Sequence, residues 1–177
     1  IAVHGSGNYI YVTGEFQSSS ADFGSITLNS SGGSDVFVSK LNSHNGDWLW
    51  TTSAGGTSSD FGNDIAVGPA GRYIYVTGTF YESYPDFGST TLNGSGLFDV
   101  FVAKLDSDGN WLWAEQAGGS GYDYVEGIAV DSWGNAYITG SLGHPSNSSA
   151  DFGSTTLFSR GGEHSVFVAK LDQNGNW

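Results

Sequence analysis

Short stretches of alternating β-branched and aromatic residues recur along the chain, each bounded by glycine, asparagine, aspartate or serine. In the middle of the sequence four such stretches follow one another, at 65–67, 73–79, 99–105 and 111–117. A hydrophobic period of about two residues predicts strands, and no segment keeps a helical period over three turns. The pattern therefore predicts an all-β protein built from units of four short antiparallel strands.

The same blocks of sequence return in the same order along the chain. An Ile-Ala-Val block that begins at Ile1 returns at Ile65 and Ile128, and each copy is followed by an Asp-Phe-Gly-Ser block and a Val-Phe-Val-x-Lys-Leu block. Self-similarity at a fixed period is the signature of a repeat architecture. We expect three repeats, the third of which stops before its fourth strand, with the bounds 1–64, 65–127 and 128–177.

The strand predicted at 99–105 is apolar on both of its faces. Because side chains alternate along a strand, Val100 and Val102 point one way, and Phe101 and Ala103 point the other. A small sheet that is buried on both faces and repeated in tandem must have neighbours on both sides. Radial stacking gives a β-propeller of four-stranded blades, here about three of them. A stacked solenoid is the competing geometry, although solenoid units are usually shorter.

Composition narrows the classes of partner and chemistry. The 177 residues hold 5 Lys and Arg against 18 Asp and Glu, a net charge of −13. Such an acidic chain is a poor match for nucleic acid or an anionic membrane surface, because both bind basic patches of protein. There is no Cys, which excludes disulfides and thiolate chemistry. No apolar run is long enough for insertion into a membrane.

The ordered set of motifs resembles a known repeat family. Ile-Ala-Val, Tyr-x-Thr-Gly, Asp-Phe-Gly-x-x-x-Leu, Asp-Val-Phe-Val-x-Lys-Leu and Asp-x-x-Gly-Asn-Trp-x-Trp together resemble the SBBP-type β-propeller repeat, over essentially the whole sequence. That resemblance implies a propeller in a secreted or surface-attached protein, an extracellular location and no enzymatic activity. Fewer than three complete repeats are present, too few to close a ring of about seven blades.

One lysine stands at the same position in every repeat. A lysine at the end of a buried strand needs a partner. Asp35 and Asp99 could supply it, but Ser165 replaces them in the third repeat, whereas the aspartate of the Asp-Phe-Gly block persists. We therefore expect structural ion pairs of Lys40, Lys104 and Lys170 with Asp22, Asp86 and Asp151. The alternative is a ring of lysines that binds an anion.

The turn at 106–110 is rich in oxygen ligands, with Asp106, Asp108 and Asn110. These residues resemble half of a calcium loop, although the closing glutamate of an EF-hand is missing. Asp and Asn before Gly are also the ordinary chemistry of a tight turn. We expect a plain turn, with a weak Ca²⁺ site as the alternative; no other cofactor or metal is expected.

The segments that differ most between the repeats carry tyrosines, namely Tyr81, Tyr84, Tyr122 and Tyr124. Aromatic rings near carboxylates and amides are a common means of holding sugars or peptides. We expect these four tyrosines to be the candidate ligand-binding residues. The alternative is that the rings only cover the edge of a blade.

Three asparagines fit the N-glycosylation acceptor pattern, namely Asn29, Asn93 and Asn147. In a chain so rich in serine, chance matches to this pattern are expected. Glycans at these positions are a hypothesis that depends on the source of the protein.

No catalytic set stands out among the many serines and carboxylates. We therefore expect a non-enzymatic, extracellular structural or adhesive module of a surface or fibre-forming protein. The alternative is a carbohydrate- or protein-binding, lectin-like propeller, and a fragment of a propeller glycosidase is a third reading.

The expected partners are further blades of a longer chain or other copies of this one, with surface glycans as a further candidate. The faces around Val36 and Val38 in the first repeat, and Phe167 and Ala169 in the third, are predicted to pack on those blades.

Overall fold

The computed structural model describes residues 1–82, 84–143, 148–159 and 164–177. These ranges consist of short strands and a single turn of 3₁₀-helix at Pro69–Gly71. The strands are β1 (Ala2–Val3), β2 (Tyr9–Phe16), β3 (Ser20–Phe23), β4 (Ile26–Asn29), β5 (Asp35–Asn42), β6 (Trp48–Ala54), β7 (Asp60–Val67), β8 (Tyr73–Tyr81), β9 (Asp86–Phe87), β10 (Thr90–Thr91), β11 (Phe98–Asp106), β12 (Trp111–Gly119), β13 (Asp123–Val130), β14 (Ala136–Leu142), β15 (Ser149–Phe152), β16 (Thr155–Phe158) and β17 (Ser165–Leu171).

The long strands form three antiparallel sheets that follow one another along the chain. The first blade has the order β1-β2-β5-β6, the second β7-β8-β11-β12 and the third β13-β14-β17. The first and second strands of a blade pair across short turns, as do the third and fourth. The second and third strands pair across a longer excursion. The predicted all-β class and the partial β-propeller of antiparallel blades are confirmed.

The first strand of a blade is longer than the sequence pattern suggested. The expected boundary at 64/65 falls inside β7, which already pairs with β8 at Asp60 opposite Phe80. A bulge between Gly62 and Asp64 shifts the register and interrupts the alternation of side chains. In the third blade β13 likewise crosses the expected boundary at 127/128 and has a bulge between Val125 and Gly127. The repeats predicted from sequence are therefore offset from the blades by about five residues.

The Asp-Phe-Gly block forms a small hairpin between the second and third strands of each blade. In the second blade the ring of Phe87 packs on Phe101 at 4.8 Å and edge-on against Trp111 at 5.1 Å, centroid to centroid. Gly88, at the turn, has φ +65°, and a Cβ there would press on Trp111. The other two blades repeat this aromatic triad: Phe23, Phe37 and Trp48; Phe152, Phe167 and Trp177.

Each of the later hairpins also bonds to the blade before it. Strand β15 of the third hairpin pairs with β12 at Gly118 opposite Asp151, so the second sheet continues as β11-β12-β15-β16. Gly55 and Asp86 make the same bridge between the first blade and the second hairpin. The hairpins therefore connect successive blades through the backbone as well as through their rings.

The hydrophobic core lies between the blades. Phe101, Ala103 and Leu105 pack into the cluster shared with the first blade, whereas Val100 and Val102 pack into the cluster shared with the third. The alternation predicted for this strand is confirmed. A blade therefore has one face toward its predecessor and another toward its successor.

The open faces at the two ends differ from the prediction. Val36 and Val38 are fully buried by the second blade. In the third blade Phe167 is buried, whereas Val166 and Val168 are 82% and 74% exposed. The prediction therefore named the face of the first blade that the second blade covers. In the third blade it named the face of Phe167, whereas the open face is that of Val166 and Val168. Because both faces of each strand are apolar, the sequence could not show which face points forward.

Candidate functional site

The repeated lysines lie at the junctions between blades. Nζ of Lys40 donates to the carbonyl of Ser107 at 3.1 Å, in the turn of the next blade, and Nε1 of Trp50 donates to the same oxygen at 3.0 Å. Nζ of Lys104 donates to the carbonyl of Gln173 at 2.8 Å. Gln173 occupies in the third blade the position of Ser107 in the second. The lysine is therefore a blade-to-blade hydrogen-bond donor.

Tyrosine rings complete the surroundings of these lysines. Nζ of Lys104 lies 4.1 Å from the ring centroid of Tyr73, and Nζ of Lys40 lies 4.3 Å from that of Tyr9. Burial lowers the pKa of both lysines. The charge of Asp172 favours the charged form of Lys104, and the charge of Asp108 favours that of Lys40. The carbonyl and the ring face stabilise the charge in place of water.

The predicted ion pairs of these lysines require correction. The carboxylates expected to pair with Lys40, Lys104 and Lys170 accept instead from threonines within their own hairpins. The three bonds are Thr27 to Asp22, Thr91 to Asp86 and Thr156 to Asp151. These aspartates are exposed on the hairpins, where water and a hydroxyl satisfy them. Spacing along the chain could not show that the ends of the lysines reach across to the next blade.

The candidate calcium turn is closed by its own hydrogen bonds. Oδ1 of Asp106 accepts the backbone N–H of Asp108 and of Asn110, both at 2.9 Å, and Oδ2 accepts Nδ2 of Asn110 at 2.9 Å. Although burial opposes ionisation, these bonds together lower the pKa of Asp106. Asp131 and Asp172 cap their turns in the same way. The arrangement fits a plain Asx turn.

A search of the described ranges finds no group of three or more His, Cys, Asp or Glu able to hold a metal ion. In the same ranges no helix has the length and apolar character needed to cross a bilayer.

Three of the four candidate tyrosines gather around Phe98. The ring of Tyr81 lies 4.9 Å from that of Phe98, Tyr124 lies 5.5 Å away and Tyr122 lies 5.9 Å away, while Tyr122 and Tyr124 stack at 6.3 Å. All of these rings are half-buried. They cover the end of the junction between the second and third blades, as the alternative reading of the sequence supposed.

The fourth tyrosine lies apart from this cluster. Tyr84 is 66% exposed and lines a polar cleft of about 420 Å³ between the first and second blades, together with Ser31, Ser53 and Asp86. A second cleft of about 430 Å³ lies between the second and third blades and includes Asp151, which corresponds to Asp86. The clefts are therefore a repeated feature of the junctions, and among the described residues that line them only the first cleft has a tyrosine.

Two of the three candidate glycosylation sites lie on the described surface. Asn29 is exposed at the end of β4. Asn93 is exposed too, but its backbone N–H and C=O both bond to the side-chain amide of Gln116. Asn147 lies outside the described residues.

Four buried aspartates at the junctions are the feature that sequence reasoning passed over. Asp60 and Asp123 begin β7 and β13 and accept from Gly56 and Gly119, while Asp35 and Asp99 of the preceding blades approach Gly55 and Gly118. All four are at most 1% exposed. Asp60 and Asp123 each follow a Gly-Gly pair by four residues, which is the sequence signal that could have identified them.

Comparison with known proteins agrees with this architecture. Residues 112–141 match the family model described as SBBP, β-propeller repeat. This segment is similar to an SBBP β-propeller repeat. The matched segment runs from β12 to β14, so this unit of the SBBP repeat spans a junction between two blades.

The chain is also similar to an uncharacterized WD repeat-containing protein, L264, of Acanthamoeba polyphaga mimivirus. It is 28% identical over 169 residues, and the alignment covers 80% of this chain. The chain spans only 12% of the length of that relative.

Proposed function

We propose that the chain is a non-enzymatic structural or adhesive module of an extracellular, surface-attached or fibre-forming protein. The proposal rests on the use that the repeats make of their shared residues. Lysine, tryptophan and valine side chains that recur from repeat to repeat form the contacts between blades. Such a module provides a stiff array of packed blades.

The junction between the first two blades is the observation that carries this proposal. Lys40 and Trp50 reach the same carbonyl of Ser107, and Nε1 of Trp111 returns to the carbonyl of Ser53 at 3.2 Å. Donors from both blades therefore bond across the junction. Residues used in this way hold a repeat array together rather than act on a substrate.

The extracellular location is supported by the chemistry of the surface. A net charge of −13 keeps neighbouring copies of such an array apart in solution. A chain without cysteine folds in the same way in oxidising and reducing surroundings. Both properties suit a repeat displayed outside the cell.

Surface labelling of intact producing cells tests the proposal. A membrane-impermeant amine reagent should label these repeats without lysis, and deletion of the repeats should weaken cell attachment or the integrity of the fibre. The matched control is Lys170→Arg, which leaves the junctions described here untouched and should keep attachment. Labelling that requires lysis would refute the location, and unchanged attachment after deletion would refute the role.

A lectin-like function is the second candidate, and the exposed ring of Tyr84 favours it. A tyrosine face can stack on the apolar face of a sugar, while Asp86 and the serines of the first cleft can accept or donate to its hydroxyls. Titration with a panel of mono- and disaccharides tests this candidate. Binding that Tyr84→Ala abolishes, and that Trp133→Ala at an exposed turn preserves, would establish it. A panel without binding would exclude it.

A further inference from the structure

A pair of buried aspartates lies at each junction between described blades. Asp99 of the second blade and Asp123 of the third interact electrostatically, and Asp35 of the first blade and Asp60 of the second lie at the adjacent glycines Gly55 and Gly56. In the third blade Ser165 takes the position of Asp35 and Asp99. The paired acids therefore belong to the junctions and recur with them.

The two carboxylates of the second pair converge on one backbone amide. The N–H of Gly119 donates to Oδ2 of Asp123 at 2.8 Å and also contributes a hydrogen bond to Asp99. Oδ2 of Asp99 further accepts the N–H of Ser95 at 2.8 Å. A Cβ at Gly118 would collide with Oδ1 of Asp99, so the glycine allows the carboxylate to come this close.

The first pair repeats this arrangement around equivalent backbone groups. Oδ2 of Asp35 accepts the N–H of Ser31 at 2.7 Å, and Oδ2 of Asp60 accepts the N–H of Gly56 at 2.7 Å. Gly55 makes the same close approach to Asp35 that Gly118 makes to Asp99.

One carboxylate oxygen in each pair is buried without a hydrogen-bond partner. These atoms are Oδ1 of Asp35 and Oδ1 of Asp123. A buried acceptor without a donor is costly, and two ionised carboxylates in one dry site repel each other. The geometry therefore calls for one additional positive species at the pair.

A proton fits this place better than a metal ion. The groups that bond to the pair are hydrogen-bond donors, namely backbone N–H groups and the hydroxyl of Ser95, and their hydrogens would repel a cation. Among the described residues no group of three or more His, Cys, Asp or Glu could hold a metal ion. Lys104, the basic residue of β11, lies five residues along the strand from Asp99 and bonds to Gln173.

We propose that the Asp99–Asp123 pair is a proton-binding latch, in which one proton shared by the two carboxyl groups in mildly acidic solution ties the second blade to the third. The protonated member donates its O–H to the carboxylate of its partner.

Three titratable groups of the described residues lie near the second pair. Asp60 lies in the same row of the second sheet, with Phe80 between it and Asp99. His164 lies against Gly143, close to Asp123, and Tyr124 is next to Asp123 in β13 and in ring contact with His164. The ring of His164 lies against the backbone of Gly143.

The direction of the pH effect follows from burial. Burial raises the pKa of Asp99, and burial together with the charge of Asp99 raises the pKa of Asp123 to about 6. The folded chain therefore binds more protons than the unfolded chain between about pH 4 and pH 6. Stability is highest at the acidic end of this window and falls as the pH rises through it.

Thermal unfolding of the chain between pH 5 and pH 8 tests the latch. The midpoint of wild type should fall by roughly 3–8 °C over this range. Asp123→Asn supplies a permanent N–H donor to Asp99, so it should keep a high midpoint at pH 8 and lose most of the pH dependence. Asp151→Asn, at an exposed hairpin carboxylate, is the matched control and should retain the wild-type profile.

Two further measurements decide the identity of the bound species. Carboxyl ¹³C resonances of wild-type Asp99 and Asp123 should titrate together, whether or not the variants fold. An identical pH profile in wild type and Asp123→Asn, or independent titration at ordinary values, would overturn the proposal. Stabilisation by Ca²⁺ at pH 8 in wild type that is lost in Asp123→Asn would also overturn it, in favour of a metal site.

Discussion

Lys104 reaches Gln173, 69 residues further along the chain, with 2.8 Å between its ammonium nitrogen and the backbone carbonyl oxygen. The bond crosses from the second blade to the third, and Lys40 makes its counterpart one blade earlier. Lys170, in the same position of the third blade, is exposed and lies only over the ring of Tyr137 at 5.3 Å. The same residue type thus occupies covered and open positions within one molecule.

Lys104→Met should therefore destabilise the chain by about 1–2 kcal/mol, because it leaves the carbonyl of Gln173 without its donor and removes a cation from the ring of Tyr73. Lys170→Met should change the free energy of unfolding by less than about 0.5 kcal/mol. Urea denaturation of both variants measures the difference. Equal effects would show that the junction bond contributes nothing to stability.

The valines of the third strand allow a similar internal comparison. Val102→Ala removes two methyl groups from the core between the second and third blades and should cost about 2 kcal/mol. Val168→Ala removes the same atoms from a side chain that is 74% exposed and should be nearly neutral. If the Val168 variant proved the more damaging in denaturant titrations, this assignment of covered and open faces would be wrong.

The hairpin aromatics should be as important as the strands. Phe87→Ala removes the central ring of the triad with Phe101 and Trp111 and should cost about 3–5 kcal/mol. Phe158→Ala, at a ring 67% exposed on the third hairpin, is the control and should stay within about 0.5 kcal/mol of wild type. Thermal unfolding monitored by near-UV circular dichroism would record both. A small loss for Phe87 would mean that the hairpin is dispensable to the blade.

Tyr75 should make the chain sensitive to alkali. Its buried hydroxyl donates to the carbonyl of Gly134 at 2.9 Å, and burial, followed by Tyr73 and Asp131, raises its pKa to about 12. Between about pH 10 and pH 12 the unfolded chain loses this proton first, so stability falls as the pH rises.

Tyr75→Phe should cost about 1–2 kcal/mol at pH 8 and should have a shallower loss of stability above pH 10. Denaturation in guanidinium at pH 8 and pH 11 compares the two proteins. Parallel losses in wild type and variant would exclude Tyr75 as the source.

The Asx turns should need no metal. Because both oxygens of Asp106 already accept hydrogen bonds, millimolar Ca²⁺ should give no heat in calorimetry, and a chelator should leave the melting temperature unchanged. Asp106→Ala should still destabilise the turn by about 1 kcal/mol. A rise in melting temperature with Ca²⁺ that disappears in this variant would instead establish the weak calcium site.

Local chemistry was readable from the sequence because strands and tight turns depend on near neighbours. Alternation at 99–105 correctly assigned Val100 and Phe101 to opposite faces, and the residues at 106–110 form a turn, as their Asp, Asn and Gly predicted. The bulge between Gly62 and Asp64 escaped prediction, since one unpaired residue breaks the period that locates a strand.

Contacts across a junction could not be read in this way. The sequence suggested Asp22 as the partner of Lys40, because both recur, but recurrence does not give direction in space. The side chain of Lys40 extends toward the next blade and finds a backbone carbonyl, which has no sequence signature at all. The convergence of Asp99 and Asp123 escaped notice for the same reason.

The sequence by itself determined the repeat, the four-stranded unit and the two-sided burial of each sheet, because these follow from periodicity and turn chemistry within about sixty residues. Only the tertiary structure decided which face of a blade points forward and which acids meet. Both faces of a strand are apolar and the repeats carry the same kinds of residue. The local pattern therefore cannot distinguish the forward face from the backward face, or one set of acids from another. The right-handed twist of the strands and the close packing of neighbouring sheets remove that symmetry.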